Sequence, residues 1–395
     1  MNRYGKQRLA ALTAVLLCGA ADADDSGFYV DFNLRNEQVT QDNAVEDANA
    51  LTLRTRLGYR SPTWRGLSGV IEFEDSRIIA GQDEYTVGPT GFNPGEYSVI
   101  ADPESTELDQ GYLQFSDGDF VAKLGRQVIN RDNQRFVGAV GWRQDRQTFD
   151  AFAIGWSGID GLQLDAAYVT KRNRIFADEA DVDSGDTLLN AHYKTAYGTI
   201  AAYAYLLEND DANDDIDTVG ASFRGSTKRD FGSISYAIEY ATQEYSAGST
   251  SNDADYLLAE GALEISGYTL TLGQERLGSD GGVYGFSTPL ATLHKFNGWA
   301  DQFLSTPAQG LVDSYVSLGG SFRTTKWTVA WHDFEADDAT PGIDDLGQEL
   351  DVAATHTFAE KYTVGLKYAA YSAGDDAAGY VDTDKFWAWF TVGFQ

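Results

Sequence analysis

The chain has 395 residues and a formal net charge of −31, so a nucleic-acid partner is not expected. After Leu17 no apolar stretch approaches the roughly 18 to 20 residues that a membrane-spanning helix requires, which excludes a helical membrane protein. Glycine (41 residues) and aromatic residues (13%) are abundant and proline is scarce (7 residues), a composition typical of strands joined by tight turns.

The N-terminal residues have the pattern of a secretory signal peptide. Basic residues at positions 3, 6 and 8 precede an apolar run at 9–17, and Ala21-Asp22-Ala23 matches the A-x-A cleavage pattern. The sequence therefore predicts a signal peptide over residues 1–23 and a single mature domain over residues 24–395. The mature domain contains no cysteine, because Cys18 is the only one, so disulfides do not stabilise it.

Apolar and polar residues alternate along most of the remaining chain. The stretches "GFYVDFNLR" (27–35) and "ALTLRTRLGYR" (50–60) each place one apolar and one polar face on a strand. The same period recurs up to the last segment, "KFWAWFTVGFQ" (385–395), and gives about eighteen strands. This C-terminal strand resembles that of outer-membrane proteins, which would make it the signal for the barrel-assembly machinery.

The connectors between these strands alternate between two kinds. Short turns such as "SDGD" and "SGIDG" are followed by longer, mostly acidic connectors, predicted at 37–50, 77–107, 127–147, 173–186, 208–216, 244–254, 276–311, 335–348 and 372–384. This alternation predicts an all-β transmembrane antiparallel barrel in the bacterial outer membrane, with short periplasmic turns, long extracellular loops and periplasmic termini. Lipid and lipopolysaccharide would surround it.

A soluble β-sandwich or propeller is the rival fold, because both also contain short alternating strands. Tyrosine and tryptophan recur at the strand ends, for example at Tyr59, Trp156, Tyr168, Trp327 and Tyr362. Such residues suit the aromatic girdles at the two membrane interfaces and favour the barrel.

In a barrel the polar face of each strand lines the lumen. The strand residues predicted to line it include the basic side chains Arg35, Arg54, Arg56, Lys123, Arg224 and Arg323 and the acidic side chains Asp31, Glu72, Glu74, Asp165, Glu239, Glu260, Glu264 and Glu275. Two interpretations stay open. The charges cancel as ion pairs that support the wall, or they form opposed tracks that select a charged solute.

Three stretches, "KLGRQ" (123–127), "RFVGAVGWRQDRQTFDAF" (135–152) and "FNGWADQFLSTPAQGLVDSY" (296–315), resemble the alginate-export family of outer-membrane barrels. The resemblance implies an eighteen-stranded monomer that passes an anionic polysaccharide of uronic acids. It also implies a basic constriction formed by Arg126, Arg131, Arg135, Arg143 and Arg146, with Trp299 and Asp301 fixing the seventh loop. Asp132, Asp145 and Asp150 make this region less electropositive than a polyanion exporter needs, so uptake of small anionic solutes fits equally.

Arginine suits such a constriction because its guanidinium offers two parallel donors to a carboxylate and stays charged at any relevant pH. Trp142 and Phe136 lie among these arginines and either stack on sugar rings or pack the loop. We therefore expect a passive channel for anionic saccharides or small organic anions. A general or organic-acid-selective porin is the alternative, followed by a barrel plugged by its long loops.

An enzyme is the remaining class. The four histidines (His192, His294, His332 and His356) form no recognisable catalytic motif, and Ser287 and Asp301 are merely near His294 in sequence. No histidine pair has the spacing of a zinc site. No catalytic residue, metal site or cofactor is expected.

Overall fold

The computed structural model describes residues 26–81, 84–88 and 93–395, so the predicted signal peptide lies outside the described residues. Eighteen strands account for most of the described chain: β1 Gly27–Gln41, β2 Ala48–Arg60, β3 Leu67–Ala80, β4 Ser105–Asp117, β5 Phe120–Gln127, β6 Thr148–Ile159, β7 Leu162–Asn173, β8 Val182–Lys194, β9 Thr199–Asn209, β10 Asp214–Arg229, β11 Gly232–Ala247, β12 Thr250–Ile265, β13 Tyr268–Leu277, β14 Leu311–Phe322, β15 Thr325–Thr340, β16 Ile343–Phe358, β17 Tyr362–Ser372 and β18 Thr383–Phe394. Three 3₁₀ turns occur, at Ala177–Ala180, Leu293–Lys295 and Asp376–Ala378. None of the described helices is long and apolar enough to cross a bilayer.

Every strand pairs antiparallel with its sequence neighbours, and β1 pairs with β18 as well as with β2. This last pairing closes the sheet, with Val30 opposite Phe394 and Gln41 opposite Thr383. A closed sheet satisfies its backbone hydrogen bonds internally, which a hydrocarbon environment requires. The predicted all-β antiparallel barrel of about eighteen strands is confirmed.

The two faces of the wall follow the alternation in the sequence. Large apolar side chains such as Leu57, Leu113 and Ile238 point outward and are more than half exposed. Between them, inward positions carry buried polar side chains such as Arg35 and Glu239. The barrel therefore presents an apolar band to lipid and keeps its charges in the lumen.

The connectors at one end are short, for example at 118–119, 160–161 and 266–267. At the other end three predicted long loops are wrong: 208–216, 244–254 and 335–348 consist mostly of strand, and their turns occupy only 210–213, 248–249 and 341–342. In the first two segments the acidic residues stay in register, as in Asp217 opposite Glu244, whereas the register of β15 and β16 shifts between Phe334 and Thr340. Antiparallel pairing continues beyond the apolar band of the barrel. A run of polar residues therefore does not mark the end of a strand there.

Three long connectors remain at that end, namely loop 2 (81–104, partly described), loop 3 (128–147) and loop 7 (278–310), together with shorter ones at 42–47, 174–181 and 373–382. The buried apolar residues of loops 3 and 7, including Phe136, Val137, Phe286 and Leu290, belong to one cluster with inward side chains of the wall such as Tyr256. The core of this protein therefore lies inside the barrel.

Candidate functional site

Loop 3 crosses the lumen and is bonded to distant parts of the wall. Arg143 donates from Nη1 to Glu37 on β1 (3.1 Å), and Arg146 donates from Nε to Asp109 on β4 (2.9 Å). Arg135 donates from Nε to Glu275 on β13 (2.8 Å). Bonds to β1, β4 and β13 hold the loop across the barrel, because these strands are well separated around the wall.

Loop 7 packs against loop 3 through its backbone and side chains. The Gly138 amide donates to the Leu290 carbonyl (2.8 Å), and the Thr292 amide donates to the Gln134 carbonyl (3.0 Å). Arg135 also donates from Nη2 to Asn297 Oδ1 (2.9 Å). The two loops thus form one folded unit inside the lumen.

The second half of loop 7 is anchored by carboxylates. Asp301 accepts hydrogen bonds from Arg143 of loop 3 (2.9 Å) and from Lys385 on β18 (2.9 Å). Glu349 on β16 accepts from the backbone amides of Trp299 and Ala300. Asp301 and Trp299 therefore hold the seventh loop, as the family resemblance implies.

Loop 2 completes the packing above β1. Asp102 accepts from the Gln144 backbone amide (3.0 Å) and from the guanidinium of Arg35. Tyr85 and Ile100 of loop 2 are fully buried in a small apolar cluster that includes Val39 of β1. Loop 2 thus supports loop 3 from the side of the first strand.

The predicted basic residues of the wall lie mostly where they are expected, but they are paired. Arg54 donates to Asp31 (2.6 Å), Arg56 contacts Glu74, and Arg224 contacts Glu239. Acids of the wall also accept from Arg135, Arg143 and Arg146 of loop 3. In this part of the lumen the charges therefore form ion pairs that support the wall, which is the first of the two interpretations.

Arg126 does not belong to the lumen. Its strand places it on the same outward side as Leu124, which is 61% exposed, and it forms a two-point ion pair with Asp150 on the neighbouring strand (2.8 and 3.2 Å). Arg323 is also misplaced, since it lies exposed in the turn at 323–324 over the ring of Phe322. The predictions that Arg126 and Arg323 line the pore are therefore wrong. The alternation along β5 places Arg126 on the outward face, and Arg323 lies in the turn between β14 and β15.

Of the predicted lumen residues, Arg131 and Lys123 are the two with the loosest ion pairing within the described part of the lumen. Both line a cavity of about 100 Å³ between loop 3 and the wall, together with Asp165. Arg131 Nη1 lies 4.0 Å from Asp165, and no acceptor among the described residues bonds its buried Nε. Lys123 lies over the ring of Tyr112 and, within the described ranges, has no carboxylate oxygen within 4.0 Å.

Lys295 of loop 7 is a third lumen cation, which sequence reasoning missed. Its Nζ donates to the Asn133 carbonyl (2.8 Å), and the described residues place no carboxylate oxygen within 4.0 Å of it. Partial desolvation by the surrounding protein, followed by the charge of nearby Arg224, lowers the pKa of Lys295, although its side chain reaches the surface of loop 7. The sequence offered no signal for this residue, because loop 7 has no strand period.

The three aspartates near the arginines have different surroundings. Asp132 bonds His192 (2.8 Å) and Asn190 (3.1 Å) on β8, while Asp150 pairs with Arg126 outside the lumen. Asp145 is fully buried and has no hydrogen-bond donor among the described residues. Burial, together with the charges of Glu107 and Glu74, raises the pKa of Asp145 to about 10.

Phe136 and Trp142 serve the packing of the loop. Phe136 contacts the rings of Tyr203 and Tyr256 at centroid distances of 5.2 Å. Trp142 stacks on His294 at 4.7 Å and lies 4.0 Å from the ammonium group of Lys367. Their faces are therefore covered by protein.

His294 and Asp301, near each other in sequence, are also bonded. His294 Nδ1 lies 2.7 Å from Asp301 Oδ1, and its Nε2 lies 3.0 Å from Lys367 Nζ. Because an ammonium group only donates, Nε2 accepts and the ring is neutral, with Nδ1–H donating to Asp301. Burial lowers the pKa of His294 to about 3, which agrees with this tautomer. A lysine occupies the place that a serine nucleophile would need.

The chain resembles known proteins in both sequence and fold. The sequence model of the family described as alginate export matches residues 28–280. This chain belongs to the alginate export family. The match spans β1 to β13 and loop 3, so the family assignment includes two of the three stretches that carried the resemblance.

Solved structures share the fold of this family member. OpdK of Pseudomonas aeruginosa with vanillate has a TM-score of 0.72 and 15% identity, covering 93% of this chain and 98% of its own. OccAB4 of Acinetobacter baumannii has a TM-score of 0.70 and 13% identity, covering 94% and 100%. OccK11 (OpdR) of Pseudomonas aeruginosa has a TM-score of 0.66 and 13% identity, covering 93% and 96%. No curated protein matches in sequence.

Family and fold together define the protein class. A closed eighteen-stranded barrel of the alginate export family is a porin-like protein of the Gram-negative outer membrane. The predictions of family, fold and location are confirmed. The solute and the site residues are matters of proposal.

Proposed function

We propose that this barrel is a diffusion channel for small organic anions, chiefly carboxylates. The observation that carries the proposal is the cavity beside loop 3, which is lined by two basic residues, Lys123 and Arg131, and by one acidic residue, Asp165. If all three groups are charged, one positive charge is left over. A solute carboxylate would complete the pairing by accepting hydrogen bonds from the ammonium group of Lys123 and the guanidinium of Arg131.

The size of this cavity favours small solutes over a polysaccharide. A volume of about 100 Å³ suits one carboxylate group with a few carbon atoms, and loops 2, 3 and 7 occupy the lumen around it. The arginines expected to form a polyanion track are instead paired with acids of the wall. OpdK, which shares this fold, has been solved with vanillate, a small aromatic carboxylate.

Weak and incomplete pairing is suited to transport. A channel must bind its solute well enough to admit it and loosely enough to release it. Arg131 is 4.0 Å from Asp165, and Lys295 presents another cation on the exposed surface of loop 7. An anion could therefore exchange between partly paired cations by diffusion.

Passage of acidic oligosaccharides remains the second candidate, because the chain belongs to the alginate export family. Swelling of liposomes that contain the purified barrel separates the two. We expect small carboxylates to enter faster than neutral sugars of equal size, with rates falling steeply from uronate monomer to trimer. Equal rates for monomer and trimer would favour the oligosaccharide channel. Equal rates for neutral and anionic solutes would contradict both.

A further inference from the structure

A second feature of loop 3 concerns a cation and is independent of the proposed solute. Glu74 on β3, Glu107 on β4 and Asp145 on loop 3 converge, and one carboxylate oxygen from each lies within 4.8 Å of the others. Glu74 and Asp145 are fully buried. Three carboxylates this close repel one another unless a proton or a cation lies between them.

Asp145 is the group that makes this cluster unusual. Both of its oxygens are buried and accept no hydrogen bond from an N–H or hydroxyl group of the described residues, although a buried carboxylate ordinarily accepts several; its side chain instead approaches the carboxyl group of Glu107. Glu74 differs, because it accepts from the Arg146 backbone amide (3.1 Å) and contacts Arg56. The unused oxygens of Asp145 therefore face Glu74 and Glu107.

The nearby guanidinium groups do not balance the cluster. Arg146 is committed to Glu72 and Asp109, and Arg56 is shared between Glu74 and Asp109. Two positive charges thus face a larger set of carboxylates: Glu72, Glu74, Glu107, Asp109 and Asp145. Arg54 and Arg126 also act on Glu74 and Glu107 over a longer distance, but their own hydrogen bonds go to Asp31 and Asp150. If all are ionised, the region keeps an excess of negative charge that a divalent cation would offset.

We propose that Glu74, Glu107 and Asp145 bind a hard divalent cation, with Ca²⁺ as the best fit. Ca²⁺ takes oxygen ligands only and accepts irregular sets of carboxylates, whereas Mg²⁺ demands near-octahedral geometry and retains several waters. The ion would join the end of loop 3 to β3 and β4. Because Asp145 directly precedes Arg146, binding would also fix the residue that bridges Glu72 and Asp109.

The test is Ca²⁺ binding to the purified full-length barrel in detergent after treatment with a chelator. Isothermal titration should show one Ca²⁺ fewer for Asp145→Asn than for the wild type, and Ca²⁺ should raise the thermal midpoint of the wild type only. Asp230→Asn, which makes the same change at an exposed turn position, should behave as the wild type. Glu107→Gln, on a half-buried strand position, provides a second variant should Asp145→Asn not fold.

Two results would overturn the proposal. If Asp145→Asn and Glu107→Gln bind as many Ca²⁺ ions as the wild type, the ions occupy only the outer acidic surface. If the wild type binds no Ca²⁺ and Asp145→Asn is the more stable protein in chelator, the carboxyl groups share a proton instead.

Discussion

Arg143 Nη1 lies 3.1 Å from Glu37 Oε2, although the two residues are 106 positions apart in the chain. Arg143 also donates to Asp301, so one buried guanidinium joins loop 3 to the first strand and to loop 7. Burial alone would lower the pKa of Arg143, but the charges of Glu37, Asp301 and Asp102 raise it above the ordinary value. Arg143 is therefore charged at every relevant pH and serves the fold of the lumen.

Arg143→Met should be strongly destabilising, because it leaves two buried carboxylates without this partner. Loss of one member of a buried ion pair costs about 3–5 kcal/mol. Denaturant titration of the barrel in detergent measures this cost. Arg77→Ala is the matched control, since Arg77 and Asp75 form an exposed pair worth about 0–1 kcal/mol. If Arg143→Met and Arg77→Ala lowered the free energy of unfolding by the same amount, Arg143 would not belong to a buried ion pair.

Gly298→Ala should loosen loop 7. Gly298 has φ +81°, and an added Cβ would lie 2.3 Å from Glu349 Oε2, the carboxylate group that caps the Trp299 and Ala300 amides. Backbone strain and the displaced carboxylate together should cost about 1–3 kcal/mol. Limited proteolysis of loop 7 reports this local loss. Gly379→Ala is the control, because Gly379 has a similar backbone angle (φ +78°) but open space around an added Cβ. If loop 7 were cleaved as slowly in Gly298→Ala as in Gly379→Ala, the clash with Glu349 would be ruled out.

His294 should make the barrel sensitive to acid. Its pKa is about 3 in the folded protein and about 6.5 when unfolded, so between these values the unfolded chain binds the additional proton. The stability due to neutral His294 is therefore complete above pH 6.5 and is lost progressively as the pH falls towards 3. His294→Asn keeps a donor for Asp301 but does not titrate. Between pH 6.5 and 4 the unfolding midpoint of His294→Asn should fall less than that of the wild type. If the two midpoints fell in parallel, the buried neutral state of His294 would be contradicted.

The sequence predicted the wall much better than its contents. Alternation along each strand reveals which residues face lipid, because a strand in a barrel has a period of two. The same period, applied to "KLGRQ", puts Arg126 beside Leu124 on the outward side; the family resemblance led instead to a lumen position. The pairing of Arg143 with Glu37 could not be predicted, because it depends on barrel closure and on two loops without a regular period.

Lys295 and the carboxylate cluster illustrate the same limit. Lys295 lies in loop 7 and approaches Asn133 of loop 3, a contact between residues that are 162 positions apart in the chain. Glu74, Glu107 and Asp145 come from two strands and a loop, with no local spacing to suggest a common site. Such sites arise from the inward folding of loops, which strand patterns do not specify.

The central claim, that lumen cations beside loop 3 select small anions, is tested by the reversal potential of single barrels in a planar bilayer under a salt gradient. A charge in water at about 4–8 Å contributes about 0.5–1 kcal/mol, so Lys123→Gln combined with Arg131→Gln, which removes two charges, should lower the anion-to-cation permeability ratio by roughly fivefold to thirtyfold. Arg323→Gln, at the exposed turn, should leave the ratio unchanged. A cation-selective wild type, or a double variant with the wild-type ratio, would contradict the claim.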